Sequence, residues 1–385
     1  MKPILLVDFG STNTKVTAVD VEGCEILGTA AAYTTVETDI NNGLCDALEL
    51  LEKTVGHMEY EERYACSSAA GGLKMISIGL VPELTAQASK EASLGAGAKV
   101  WKTYSFNLTK GDMREIEKYH PDIILLTGGT DGGNAECILY NAKMLADLSY
   151  DCPIVIAGNR CAAEECQEIL EGRTTYICEN VMPRLGELNI EPTQKQIREI
   201  FLKRIVQGKG LSEASDLVSG IIMPTPSAML AAMELLSDGW EDCRGIGELV
   251  GVDLGGATTD VYSIADGNPA NAATVMKGLQ EPYAKRSVEG DIGMRYSAQG
   301  ILEAAGDRKL SKISGINRQK IAGLVEYLGN HTDYIPDNEE MENMDYALAC
   351  AAVETAVTRH AGSLEQVYTP CGLTYLQSGK DLRRV

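Results

Sequence analysis

One short pattern occurs twice. Residues 8–16 read Asp-Phe-Gly-Ser-Thr-Asn-Thr-Lys-Val, and residues 253–261 read Asp-Leu-Gly-Gly-Ala-Thr-Thr-Asp-Val. Each copy follows an apolar run, Ile4 to Val7 and Leu249 to Val252, and each leads into a second strand and another turn. Two copies of one hairpin, each beside an apolar strand, predict a duplicated domain. The residue types predict phosphate chemistry. Asp8 and Asp253 close a strand and bring a carboxylate to its tip. The turns that follow, Gly10, Ser11, Thr12 and Asn13 in one copy and Gly255, Gly256, Ala257 and Thr258 in the other, offer backbone N–H groups and hydroxyls. Glycine admits an anion close to the backbone, and successive N–H groups form an anion-binding nest. Lys15 is placed to neutralise a phosphate oxygen, with Thr12 and Thr258 donating to phosphate. Read this way, Asp8 and Asp253 are the catalytic and metal-binding pair, holding Mg²⁺ largely through waters.

The rest of the chain is read around that pair. The first 35 residues form an antiparallel sheet, followed by a helix over Asn42 to Val55, a strand over Tyr64 to Ser67 and a helix from Pro82 to about Leu94. From Gly95 to Cys178 strands and helices alternate, with a glycine-rich loop at Thr127 to Asn134, and this predicts a parallel βαβ module. That loop lacks the Lys-Ser/Thr of a Walker motif and reads first as a structural turn, then as a loop facing a partner or cofactor, and last as a phosphate site. Helices are expected over Thr193 to Val206, Ser227 to Ser237, Asp291 to Ala304, Arg318 to Leu328 and Met341 to His360, with the last third mostly helical. The expected domains are a first lobe over 1–94, an inserted module over 95–180, a helical connection over 181–245 that completes the first lobe, and a second lobe over 246–385.

Composition narrows the function. A net charge of −21 leaves no basic footprint for nucleic acid. No apolar run approaches the roughly 18 residues of a membrane span, and no signal-peptide pattern opens the chain, so a soluble cytoplasmic protein is expected. The eleven cysteines show no zinc or cluster spacing and read as reduced, mostly buried thiols.

The paired hairpins resemble the two phosphate-binding motifs of the actin-like ATPase superfamily. Glu289-Gly290-Asp291-Ile292-Gly293-Met294-Arg295 is similar to the Gly-Gly-Asp turn that opens a helix after the second hairpin there, which implies that Gly290 and Asp291 frame the nucleotide. Met223 to Met229 is placed like the helix that joins the two halves. Taken with Thr127 to Gly133 and Pro224-Thr225-Pro226, the whole chain resembles the glutamate mutase accessory proteins, the MutL or GlmL group. The resemblance implies an α/β fold of duplicated actin-like, ribonuclease H-like domains with an inserted βαβ module. It also implies ATP and Mg²⁺ as cofactors, and a reactivating, chaperone-like service to an adenosylcobalamin-dependent mutase. Expected partners are a subunit of that mutase and, as one option, a second copy of the chain. The superfamily's further glycine pair, which cradles adenosine, has no counterpart in Gln377 to Val385, so the second lobe reads as truncated and phosphate binding is better supported than base selectivity. Two other readings stay open. One is a small-molecule kinase of the same fold, with Asp131 or Asp216 as a sugar-site carboxylate; the other is a nucleotide-binding scaffold without turnover.

Overall fold

The computed structural model describes residues 2–10, 12–34, 40–68, 73–208, 221–271, 274–370 and 372–385. Ser11 and Asp216 lie outside the described residues. The chain divides into two units, Met1–Met229 and Leu230–Val385.

The first unit opens on a sheet built as the alternation predicts. β1 (Pro3–Phe9) and β2 (Asn13–Asp20) pair antiparallel, and β3 (Glu25–Tyr33) adds to β2. Leu5, Val7, Phe9, Val16 and Ala18 are buried, so one face of the hairpin is core. Helix α1 (Ile40–Val55) covers that face through Leu44, Ala47 and Leu51, spaced three and four apart. Gly28 of β3 lets it close in, since a Cβ there would lie 2.5 Å from a methyl of Val55. β4 (Glu62–Ser67) joins β1 in parallel.

A second sheet of five parallel strands follows: β5 (Leu73–Gly79), β6 (Ala98–Ser105), β7 (Ile123–Leu126), β8 (Ile154–Ile156) and β9 (Thr175–Ile177), in the order β6-β5-β7-β8-β9. Every residue of β7 and β8 is buried, as expected for a parallel sheet covered on both faces. The flanking helices α2 (Gln87–Gly95), α3 (Lys110–Tyr119), α4 (Glu136–Ala146) and α5 (Ala163–Ile169) include one with a reciprocal cap, Thr109 and Asp112 on α3. The parallel βαβ layout is the expected one. Two of its strands carry no sequence expectation: β6 forms one edge of the sheet and β5 lies between it and the central β7, and β5 begins ahead of residue 95. Ser77 interrupts the apolar run of β5, yet it is fully buried because its hydroxyl bonds Thr103 at 2.9 Å. Helix α6 (Glu191–Gly208) then leads back to the first sheet, where β10 (Ile221–Pro224) pairs with β4.

The helix Thr225–Asp238 ends at a small ribbon of β11 (Gly239–Trp240) and β12 (Cys243–Arg244). In the second unit β13 (Leu249–Leu254), β14 (Thr259–Ile264) and β16 (Ala284–Glu289) form one antiparallel sheet, and β15 (Thr274–Met276), β18 (Gly372–Gly379) and β17 (Gly362–Thr369) form another. Helices Ala298–Ala305, Asp307–Ser314, Arg318–Asn330 and Glu339–Ala361 share a core of Ile301, Leu310, Ile321, Val325, Met344 and Leu348. The last third is therefore more sheet-rich than expected, and its first helix starts at Ala298 instead of Asp291. The intervening N–H groups of Met294 and Arg295 donate outward, to the carbonyls of Gly255 and Gly256, so the segment cannot close helical turns.

The ten described cysteines are free thiols, but only Cys137, Cys152 and Cys166 are buried, while Cys24, Cys45, Cys161 and Cys243 are exposed. The expectation of mostly buried thiols is corrected: a small, weakly polar side chain is held inside only where its backbone position is internal.

His360, at the end of helix Glu339–Ala361, is fully buried between Ser287 and Ser263, 2.7 Å from Nδ1 and 2.8 Å from Nε2. Burial first, then the charges of Lys285 and Lys380, push its pKa down to about 2. Lys285 in turn pairs with Glu281 at 2.6 Å. The folded state thus prefers neutral imidazole. Its contribution is complete above the unfolded value of 6.5 and is lost as pH falls toward the folded value. Urea midpoints are expected to fall below about pH 6.5, at up to roughly 1.4 kcal/mol per pH unit, and His360→Gln is expected to flatten that slope. A wild-type midpoint with the same pH slope as the variant contradicts the assignment.

Candidate functional site

The two sequence copies are also two copies of one backbone geometry. In the first, Asp8 faces Lys15 and Phe9 faces Thr14; in the second, Asp253 faces Asp260 and Leu254 faces Thr259. The turns close by the same bond: the N–H of Gly10 donates to the carbonyl of Asn13 at 3.1 Å, and that of Gly255 to Thr258 at 2.9 Å. A Cβ on Gly10 would lie 2.6 Å from the Asn13 oxygen, which is why this position needs glycine. Thr14 and Thr259 are fully buried in both copies and brace the turns, Thr14 through Thr34 at 3.0 Å and Thr259 through the Ile292 carbonyl at 2.9 Å. The N–H of Thr34 also donates to the Thr12 carbonyl at 2.8 Å.

Around Asp8 the first unit gathers more than the hairpin. Oδ1 accepts from the hydroxyl of Thr225 at 2.7 Å and from the thiol of Cys66 at 3.4 Å, while Lys15 Nζ lies 3.6 Å from Oδ2. Thr225 opens the helix Thr225–Asp238, and Cys66 is the β4 residue in register with Asp8. Burial first, then the Asp8 carboxylate, push the Cys66 thiol up to about 12, so it stays protonated and donates. Sequence reading missed both partners. Thr225 lies 217 residues from Asp8, and its only signal is that Pro-Thr-Pro precedes a helix; Cys66 carries none beyond the parallel pairing.

Asp253 is exposed on its strand. The position after Thr259 departs from the first copy. Where Lys15 is largely exposed, Asp260 is buried, and Arg286 reaches its Oδ1 through Nη2 at 2.5 Å and Nε at 2.7 Å.

The Glu289–Arg295 segment docks on the second turn. Met294 and Arg295 donate to the Gly255 and Gly256 carbonyls at 3.0 and 2.9 Å, and the hydroxyl of Ser297 donates to Ala257 at 2.7 Å and to the carbonyl of Gly290 at 3.4 Å. A Cβ on Gly293 would lie 2.5 Å from the Ala257 carbonyl carbon. Arg295 fixes the far side through a bidentate pair with Asp345, at 2.9 and 2.7 Å. The carboxylate of Asp291 faces Arg359, whose Nη1 lies 3.0 and 3.1 Å from its oxygens and 2.7 Å from Glu289. Arg359 is a further residue that sequence reading did not single out.

The glycine-rich loop after β7 is braced from within. Asn159 accepts from the N–H of Gly132 at 3.1 Å, and Asn180 donates to the Gly129 carbonyl and to Asp131 at 3.0 and 2.9 Å. Asp131 also accepts from the N–H of Arg160 at 3.0 Å, so its carboxylate is engaged within the loop.

With this geometry in view, the comparisons with known proteins place the chain. Residues 4–385 match the MutL protein family, and the chain belongs to that family. It is 50% identical to Protein MutL of Clostridium tetanomorphum over 389 residues, an alignment covering 100% of this chain and 84% of that protein. Among solved structures it is similar to a nucleotide-free acetone carboxylase at 13% identity and a TM-score of 0.35, covering 89% of this chain and 60% of that one. It is also similar to the xylulose kinase of Bifidobacterium adolescentis at 13% identity and a TM-score of 0.27, covering 91% and 80%. Among the described residues no helix is long and apolar enough to cross a membrane.

Proposed function

We propose that the chain is a Mg²⁺- and ATP-dependent accessory protein of an adenosylcobalamin-dependent mutase such as glutamate mutase, acting as a reactivating chaperone. The match of residues 4–385 to the MutL family supports the accessory role, and the nucleotide part is carried by the identical register of two hairpins, each with an aspartate two positions ahead of a turn glycine. The N–H groups of Gly10 and Gly255 are engaged in closing the turns. Donation to phosphate therefore falls to Thr12, Asn13, Gly256, Ala257 and Thr258, together with Lys15. Gly290 shapes the segment that supports the second turn, and Asp291 is held by Arg359 as part of that support.

The donor set suits magnesium. Mg²⁺ is commonly held by one or two carboxylates plus waters and phosphate oxygens, and each hairpin supplies one hard carboxylate, Asp8 and Asp253. When bound, the ion would draw charge from the terminal phosphates. Thr225 and Cys66 hold the Asp8 carboxylate in place, and Asp8 orients the attacking water. The test is ATP hydrolysis with and without a mutase loaded with inactive cobalamin. Stimulation by the loaded mutase is expected; phosphate transfer to a metabolite, or binding without turnover, contradicts the proposal.

A further inference from the structure

The second unit carries an apolar surface that none of the nucleotide chemistry uses. Leu235 and Leu236, at the end of the helix Thr225–Asp238, are 50% and 49% exposed; Trp240 of β11 is 67% exposed and Ile246 is 68% exposed. Backbone pairing brings the segments that carry them together. The N–H of Ile246 donates to the carbonyl of Leu236 at 3.0 Å, that of Gly247 donates to Ser237 at 3.0 Å, and Trp240 lies on the ribbon between them, in register with Cys243. The ribbon holds a fixed shape: Gly239 has φ 87°, and a Cβ there would lie 2.2 Å from the Cys243 carbonyl oxygen. Large exposed apolar side chains gathered on a rigid ribbon are characteristic of an interaction site.

The rim gives the sign of the partner. Asp238, Glu241, Asp242 and Glu248 are all exposed in the same stretch of chain, and Arg244 is the one cation among residues 235–248. An anionic bilayer or a nucleic acid meets like charge here. A second copy docked about a two-fold axis would set this acidic rim against itself. We infer that Leu235, Leu236, Trp240 and Ile246 form a docking surface for a partner protein that presents an apolar ridge flanked by lysine or arginine. Charge complementarity at the rim would speed encounter, and the buried Trp240 would hold the complex. The inference does not depend on the nucleotide reading.

Trp240 reports on its own burial, because the chain has two tryptophans and Trp101→Phe leaves it as the only one. The probe is a synthetic amphipathic helix with a leucine stripe flanked by lysines, titrated against the full chain with Trp101→Phe. A blue shift of Trp240 emission is expected, and binding should weaken about tenfold on raising salt from roughly 50 to 300 mM. Glu241→Lys with Asp242→Lys should also weaken it about tenfold, with the thermal transition unmoved. Trp240→Ser should leave MgATP binding unchanged, which separates this surface from the hairpins. The inference is overturned by no shift, or by an equal response to a peptide with glutamates in place of the lysines. A blue shift on concentrating the protein alone, or on adding anionic vesicles, would overturn it in favour of self-association or a membrane.

Discussion

Asp8→Ala is expected to abolish Mg²⁺-dependent ATP hydrolysis, and Asp253→Ala to do the same, each by at least about 100-fold in kcat. The two carboxylates occupy the same register position in separate hairpins, so neither copy is expected to substitute for the other. Asp8→Asn sharpens the reading. Its amide keeps an oxygen for the Thr225 hydroxyl but loses the charge that would hold the metal. A metal role predicts that Asp8→Asn is as inactive as Asp8→Ala while melting like the wild type. Asp8→Asn at near wild-type activity would remove the metal assignment and leave Asp8 as a bracing residue. Steady-state phosphate release over a range of Mg²⁺ concentrations measures this.

The second large effect concerns the scaffold of the second hairpin. Arg286→Met is expected to destabilise the second unit by about 3–5 kcal/mol, because it strands the carboxylate of Asp260 in the interior. The side chains of Arg286 and Asp260 are only 3% and 10% exposed. Replacing both, with Asp260→Leu added, should recover most of the loss, since an apolar pair of similar volume needs no counter-charge. The Arg318–Asp307 pair is a useful contrast: its side chains are 63% and 41% exposed, and breaking it should leave the unfolding midpoint almost unmoved. Unfolding by urea, followed for each variant, separates these outcomes. An Arg286→Met protein as stable as the wild type would mean that Asp260 is solvated or otherwise neutralised.

The hairpins were legible in the sequence because they depend on local chemistry. An Asp-x-Gly turn after an apolar strand fixes its own register, and the internal match doubles the signal. The helices over α1, α6 and Glu339–Ala361 were legible for the same reason, through apolar spacing or length. What escaped depends on distant partners. β5 reads as an interrupted apolar run until Thr103 supplies the partner for Ser77. The Asp291–Ser297 segment has helix-like composition, but its N–H groups are claimed by the turn at Gly255 and Gly256. Within the candidate site the same division holds. Asp8, Lys15 and Asp253 follow from the repeat, whereas Thr225 and Arg359 arrive from elements 217 and 68 residues away in sequence from the carboxylates they hold. Pairings of that range leave no periodicity to read.

The central claim is that each hairpin takes part in nucleotide binding. Calorimetric titration of the full chain with a non-hydrolysable ATP analogue and Mg²⁺ tests it most directly, repeated on Gly10→Val and Gly255→Val. Binding that is weakened or lost in each variant is the expected result. Binding that survives disruption of either turn would contradict the account.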